Sequence, residues 1–220
     1  MTEIVNLSGP MVPPAAGGDP RAIVILLHGY GSNGDDLIGL APYWRNVVPH
    51  AVFVAPNAPQ ECPGAPDGYQ WWALTDFSPQ ARAAGVRSAA PTVNAFIDAQ
   101  LARYGLTDDR LALVGFSQGT MMALHVAPRR EKTMAGLLGY SGMLADADGL
   151  AAEVRSKPPM LLVHGQADPM VPVAALAGAE AALRPLGFDV KTHVSPGLGH
   201  SIDDVGLHLG GEFLRRVLGD

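Results

Sequence analysis

Gly115-Phe116-Ser117-Gln118-Gly119 follows an apolar run at 111–114 and leads into a helix-forming stretch, 120–126, that Pro128 stops. A serine hydroxyl is a poor nucleophile, so a chain that uses one must hold it on a tight strand-to-helix turn, clear of its own backbone and near a base. The Gly-x-Ser-x-Gly spacing suits that task. Glycines on either side let strand and helix cross closely around a serine held in a strained conformation. The chemistry implied is acyl transfer through a covalent serine intermediate.

Such a serine needs a histidine base and an acid to orient it, here in the chain order serine, acid, histidine. Seven histidines are available. His164 and His193 fall within predicted strands, His125 and His208 within predicted helices, His50 just before a strand, and His28 ends one. His200 alone follows a strand after both serine and acid, on a loop with Gly197 and Gly199. For the acid, the strand ending at His164 opens into Gly165-Gln166-Ala167-Asp168-Pro169, which puts Asp168 just past the strand end; the same fragment also reads as an Asp-Pro turn. Asp203 and Asp204 are rivals, but they read as the cap and first turn of the last helix. Donors for the tetrahedral oxyanion are the backbone N–H of Gln118 and that of Tyr30 in the loop His28-Gly29-Tyr30-Gly31-Ser32.

These residues need strands to carry them. Apolar runs of strand length recur at 22–27, 51–55, 111–116, 135–140 and 159–164, with a more polar one at 189–195. Between them the pattern predicts helices over 34–45, 89–104, 118–127, 171–185 and 204–218, and a short one near 146–155. In 89–104, Ala89, Val93, Phe96, Ile97, Gln100, Leu101 and Tyr104 form one stripe; Ser88 reads as the cap, Pro91 falls in the first turn and Gly105 supplies the stop. The alternation implies an α/β fold with a mainly parallel central sheet, helices on both faces and functional residues at the carboxyl ends of the strands. Residues 57–85, rich in proline and glycine and carrying Trp71 and Trp72, read as a loop near the active site.

At 220 residues with 48% apolar content, the chain suits a single domain, 1–220, with residues 1–20 an N-terminal extension or an edge strand. The net charge of −6 with scattered basic residues argues against nucleic acid as a partner. Residues 1–20 carry no basic stretch leading into an apolar run, and no stretch reaches the roughly 20 apolar residues of a membrane span. A single cysteine, Cys62, forms no intrachain disulfide and stands apart from other metal-ligand types, which fits a cytoplasmic setting with no metal or cofactor. Gly29-x-Gly31-x-x-Gly34 also spells a dinucleotide fingerprint. That reading needs an acid about 20 positions on, where this chain has Val54, Ala55, Pro56 and Asn57.

The chain resembles the carboxylesterase, phospholipase and acyl-protein thioesterase group of α/β hydrolases over nearly its whole length. The resemblance rests on Leu27-His28-Gly29-Tyr30-Gly31, Pro56-Asn57-Ala58-Pro59, Trp71-Trp72, the serine turn, His164-Gly165-Gln166-Ala167-Asp168-Pro169-Met170-Val171-Pro172 and Gly199-His200-Ser201. It implies the α/β-hydrolase fold without a large lid domain, a triad of Ser117, Asp168 and His200, and oxyanion donors at Tyr30 and Gln118. It also implies an acyl pocket with Trp71, Trp72, Leu74, Phe116, Met170 and Val171 as candidates, although an aromatic pair in a long loop equally reads as a clamp. Tyr30 departs from the leucine expected there, which changes the pocket and leaves the backbone donor. Gly210-Gly211, inside the last helix, is a second departure, expected to weaken or kink it. The expected activity is a serine carboxylesterase acting on small or single-chain acyl esters, with lysophospholipase or acyl-protein thioesterase as alternatives, and a hydrolase-fold binding protein without turnover outside that class. The resemblance allows a homodimer; no interface residue is marked by period or patch.

Overall fold

Fully buried parallel strands read as unbroken apolar runs, and in the computed structural model, which describes residues 6–219, those runs become the sheet. The strands are β1 (Met11–Val12), β2 (Ala22–Leu27), β3 (Ala51–Val54), β4 (Gln60–Glu61), β5 (Tyr69–Gln70), β6 (Leu111–Phe116), β7 (Gly136–Tyr140), β8 (Met160–Gly165) and β9 (Val190–Ser195). The main sheet has the order β1-β3-β2-β6-β7-β8-β9, with β1 antiparallel and every other pairing parallel. Of the expected N-terminal extension or edge strand, residues 1–5 lie outside the described residues, and Met11–Val12 is an edge strand pairing with Val54 and Phe53.

The helices are α1 (Gly34–Leu37), α2 (Ala41–Trp44), α3 (Pro79–Tyr104), α4 (Gln118–Val126), α5 (Leu150–Glu153), α6 (Ala174–Leu183) and α7 (Asp204–Leu218). Alternate side chains of a strand face opposite ways, so the sheet has two apolar layers. Ile23, Ile25 and Leu27 of β2 join Val93 and Ile97 of α3, Met122 of α4 and Leu183 of α6. Val24 and Leu26 join Trp44 of α2 and Phe213 and Leu214 of α7 on the other face.

Three expectations are corrected. The helix expected at 89–104 begins ten residues earlier: Ser78, not Ser88, is the cap, its Oγ accepting from Ala81 N at 3.2 Å, and Pro91 lies in the helix interior. Residues 57–85 are therefore not all loop, since β4 and β5 pair as a small antiparallel ladder and 79–85 belong to α3. The helix expected at 34–45 is two four-residue helices joined by a 3-10 turn. The last helix runs unbroken from Asp204 to Leu218 through Gly210 and Gly211. There an added Cβ on Gly210 would stand 2.2 Å from Tyr140 Oη, so this glycine serves close approach of α7 to the sheet.

Chain order reverses between β2 and β6: from β2 the sheet runs to β3 on one side and to β6 on the other. Open α/β sheets carry their sites at such a switch point, beyond the carboxyl ends of the strands. Leu27 pairs with Gly115 across it, so the loops after β2 and after β6 emerge side by side.

Candidate active site

Ser117 stands alone between the end of β6 and the start of α4, with φ 53° and ψ −116°. A side chain held at that positive φ costs roughly 1–3 kcal/mol and persists only where the surroundings enforce it. Here Ser117 N donates to Tyr140 O at 2.9 Å, and Thr120 Oγ1 both donates to Tyr140 O at 2.8 Å and accepts from Tyr140 N at 3.0 Å. The flanking glycines are required by space. A Cβ on Gly119 would lie 1.8 Å from Leu27 O, and one on Gly115 would lie 2.5 Å from Thr120 N.

Asp168 and His200 reach this edge from β8 and β9. The loop after β9 is laid on the end of β8 by Gln166 N donating to Ser195 O at 2.9 Å and Ala167 N donating to Leu198 O at 2.8 Å. Asp168, with its side chain fully buried, accepts Met170 N at 2.8 Å and Val171 N at 2.9 Å on Oδ1, and its Oδ2 lies 2.7 Å from His200 Nδ1. Burial pushes its pKa up, but the hydrogen bonds from His200 and from the Val171 and Met170 N–H groups outweigh that and hold the carboxyl below its ordinary value. The His200 ring packs 4.9 Å, centroid to centroid, from Phe116, the residue before Ser117. With Nδ1 engaged, Nε2 is the ring nitrogen left for proton traffic. Asp203 caps α7, its Oδ1 accepting from Gly206 N at 2.7 Å, and Asp204 follows in the first turn.

The loop after β2 lies against the serine turn: a Cβ on Gly29 would come within 3.3 Å of Ser117 Cβ. His28 is buried and anchors this loop. Ala58 N donates to its Nε2 at 2.9 Å, which puts the ring proton on Nδ1, 2.7 Å from Gly29 O. Burial lowers the His28 pKa, so the ring stays neutral. Gln118 is the first residue of α4, so its N–H has no acceptor within the helix. Tyr30 is 40% exposed, and the neighbouring Cys62 thiol pushes its phenol pKa up.

The expected pocket residues divide. Trp71 and Trp72 are 1% and 4% exposed, so neither indole lends an open face to a ligand. Both clamp their loop to the core. Trp71 Nε1 donates to His28 O at 2.9 Å, and Trp72 fills the space left by Gly85 of α3. Val171 is likewise buried and serves Asp168 through its N–H and His164 through its C=O, 2.8 Å from Nε2. Phe116 is partly buried beside His200, Leu74 is half-buried against the core, and Met170 is 71% exposed next to the Asp168 turn. The Gln118 carboxamide escaped the sequence reading: its Oε1 accepts Trp71 N at 2.9 Å and its Nε2 donates to Trp72 O at 2.8 Å. His28 escaped it too, since its partners are distant in sequence. Among the described residues no group of three or more His, Cys, Asp and Glu is gathered as a metal site.

Residues 14–218 match the model of a family described as Phospholipase/Carboxylesterase. The chain belongs to that family. Among its relatives, Acyl-protein thioesterase 1 of Schizosaccharomyces pombe is 30% identical over 90% of this chain and 92% of that protein. Esterase YpfH of Escherichia coli is 26% identical over 90% of this chain and 84% of its own length. The crystal structure of esterase PE8 superposes with a TM-score of 0.93 at 44% identity, covering 97% of this chain and all of that one. This phospholipase/carboxylesterase member has the α/β-hydrolase fold and is a serine hydrolase of the carboxylic-ester type. No helix among the described residues is long and apolar enough to cross a membrane.

Proposed function

We propose that the protein is a single-domain carboxylesterase that cleaves small or single-chain acyl esters through an acyl-enzyme on Ser117. The observation that carries this reading is the 2.7 Å bond between Asp168 and a His200 ring packed beside the strained serine turn. Neutral His200 takes the Ser117 proton as Oγ attacks the acyl carbon, and Asp168 holds the tautomer and stabilises the imidazolium. The N–H groups of Tyr30 and Gln118 hold the oxyanion. Collapse of the tetrahedral adduct breaks the bond to the alcohol, which leaves with the proton from His200. Water, deprotonated by His200, then attacks the acyl-enzyme and releases the acid and Ser117. Met170, Leu74 and Phe116 are the apolar side chains offered to the acyl group. The lone, buried Cys62 suits a reducing, cytoplasmic setting.

Thioester cleavage is the second reading, favoured by the relative named acyl-protein thioesterase 1. The same serine chemistry serves both, because only the leaving group changes. The deciding experiment is turnover of p-nitrophenyl esters from acetyl to palmitoyl beside S-acyl thioesters of matching length, with Ser117→Ala run alongside. Serine-dependent turnover of the oxygen esters supports the esterase reading. Turnover of thioesters alone replaces it with the second, and no turnover of either leaves a hydrolase fold that binds without reacting.

A further inference from the structure

We propose that Trp71 and the Gln118 side chain are positioning residues that lock the two oxyanion donors into one unit, an inference that rests on the esterase reading of Ser117, Tyr30 and Gln118. The two N–H groups belong to separate loops, one after β2 and one after β6, and no covalent feature sets the distance between them. Trp71 joins both. Its main-chain N–H donates to Gln118 Oε1 at 2.9 Å, and its indole Nε1 donates to His28 O at 2.9 Å, one peptide before the Gly29–Tyr30 bond that carries the other donor. The bracket closes on the far side, where Gln118 Nε2 donates to Trp72 O at 2.8 Å. Ala58 N donates to His28 Nε2 at 2.9 Å, and the His28 and Trp71 rings lie 5.4 Å apart.

Packing alone asks for none of this. Gln118 is 1% exposed in the first turn of a helix whose other positions are mostly apolar, and a buried carboxamide is tolerated only when its polar atoms are matched. Both ends of this one are matched by main-chain groups of the same two tryptophans. Oxyanion stabilisation depends on donors fixed before charge develops. The paired ends of β2 and β6 bring the two loops together, and a bracket of buried hydrogen bonds adds fixity beyond those strand ends.

The test compares Trp71→Phe, which removes the indole N–H donor together with part of the buried ring, and Gln118→Met, which keeps length and removes the polar atoms, with the wild type. Trp44→Phe is the control, because Trp44 Nε1 makes a matching bond to Leu207 O at 2.9 Å on the opposite face of the sheet. For each, kcat and KM for p-nitrophenyl butyrate are measured per site titrated by a fluorophosphonate, together with Ki for a trifluoromethyl ketone whose hemiketal oxyanion occupies the hole. Loss of a whole donor lowers kcat by about 100- to 1000-fold, so a loosened pair is expected to lower it by about 10-fold. KM should hold, and Ki should rise by the factor that kcat falls. Trp44→Phe should leave all three constants unchanged, whatever its melting temperature. The proposal is overturned if both site variants keep wild-type kcat per titrated site, or if kcat falls while Ki does not move. A wild type that the fluorophosphonate fails to label at Ser117 overturns the reading of the site and this proposal with it.

Discussion

Asp168 Oδ2 lies 2.7 Å from His200 Nδ1, while Oδ1 of the same carboxylate accepts the N–H groups of Met170 and Val171. One oxygen holds the turn and the other holds the ring.

Asp168→Asn keeps an acceptor for the turn and loses the charge that fixes the His200 tautomer, so the protein should fold while kcat falls by about 10³- to 10⁴-fold. Asp203→Ala should do the reverse. It removes the cap on Gly206 N, lowering stability by about 1 kcal/mol with kcat unchanged. Steady-state rates and urea melts of both variants check this, and a large rate loss in Asp203→Ala would move the acid from one position to the other.

Ser117 is held at φ 53°, where a Cβ is strained and glycine is not. Ser117→Ala keeps the strain and Ser117→Gly relieves it; relief of roughly 1–3 kcal/mol against roughly 0.5–1 kcal/mol of added chain entropy leaves Ser117→Gly more stable by about 1 kcal/mol. Both variants should be inactive. A thermal melt in which Ser117→Gly falls below Ser117→Ala would show that the serine turn is not strained.

Strands β2, β3, β6, β7 and β8 were legible because they are buried almost throughout, as in Ala22–Leu27, which is apolar and buried at all six positions, whereas β9 is buried only at its ends. That Asp168 and His200 come together was legible because a parallel sheet delivers the residues after its strands to one edge, and there they lie 2.7 Å apart. The first half of α3 was not. Residues 79–88 carry little apolar periodicity, and their helix is held by Trp72 seated on Gly85 and by Arg87 paired with Asp146 and Glu153, all tertiary partners. The tryptophan pair was ambiguous for a related reason. An indole that clamps a loop and one that lines a pocket look alike in sequence, and what decides between them, the His28 carbonyl and the Gln118 carboxamide, lies more than 40 positions away.

His125 of α4 is buried among charges from every element around it: Arg87 of α3, Arg129 after α4, Asp146 in the following loop and Glu153 of α5. Burial first, and the Arg129 guanidinium second, lower its pKa from 6.5 to about 4. Since the unfolded chain takes up this proton at higher pH than the folded one, the stabilisation is complete above pH 6.5. It is lost as pH falls from there to about 4 and amounts to at most about 3 kcal/mol. Glu153, held down to about 2 by its bonds to Arg87 and Arg129, adds a separate loss that begins only below its ordinary value of 4.5. Urea melts across pH 7 to 4.5 should show the first decline in the wild type and a flatter profile in His125→Gln. Equal slopes in the two proteins would remove His125 as the cause.

Two helical glycines should respond to alanine with opposite signs. Gly178 of α6 is exposed and faces open space, so Gly178→Ala should gain about 0.5–1 kcal/mol from helix propensity alone. Gly210 of α7 gains the same propensity, but its new methyl would stand 2.2 Å from Tyr140 Oη and 3.0 Å from Leu138 Cδ2. Tyr140 has little room to move: its hydroxyl donates to Gly206 O at 2.9 Å and its ring stacks on Trp44 at 6.4 Å. Overpacking of this kind costs about 1–3 kcal/mol, enough to outweigh the propensity gain and leave Gly210→Ala destabilised by about 1–2 kcal/mol. Chemical denaturation of the two variants compares the terms directly. A Gly210→Ala protein as stable as the wild type would mean that α7 shifts outward at little cost, and the contact with Tyr140 would then not be what requires glycine.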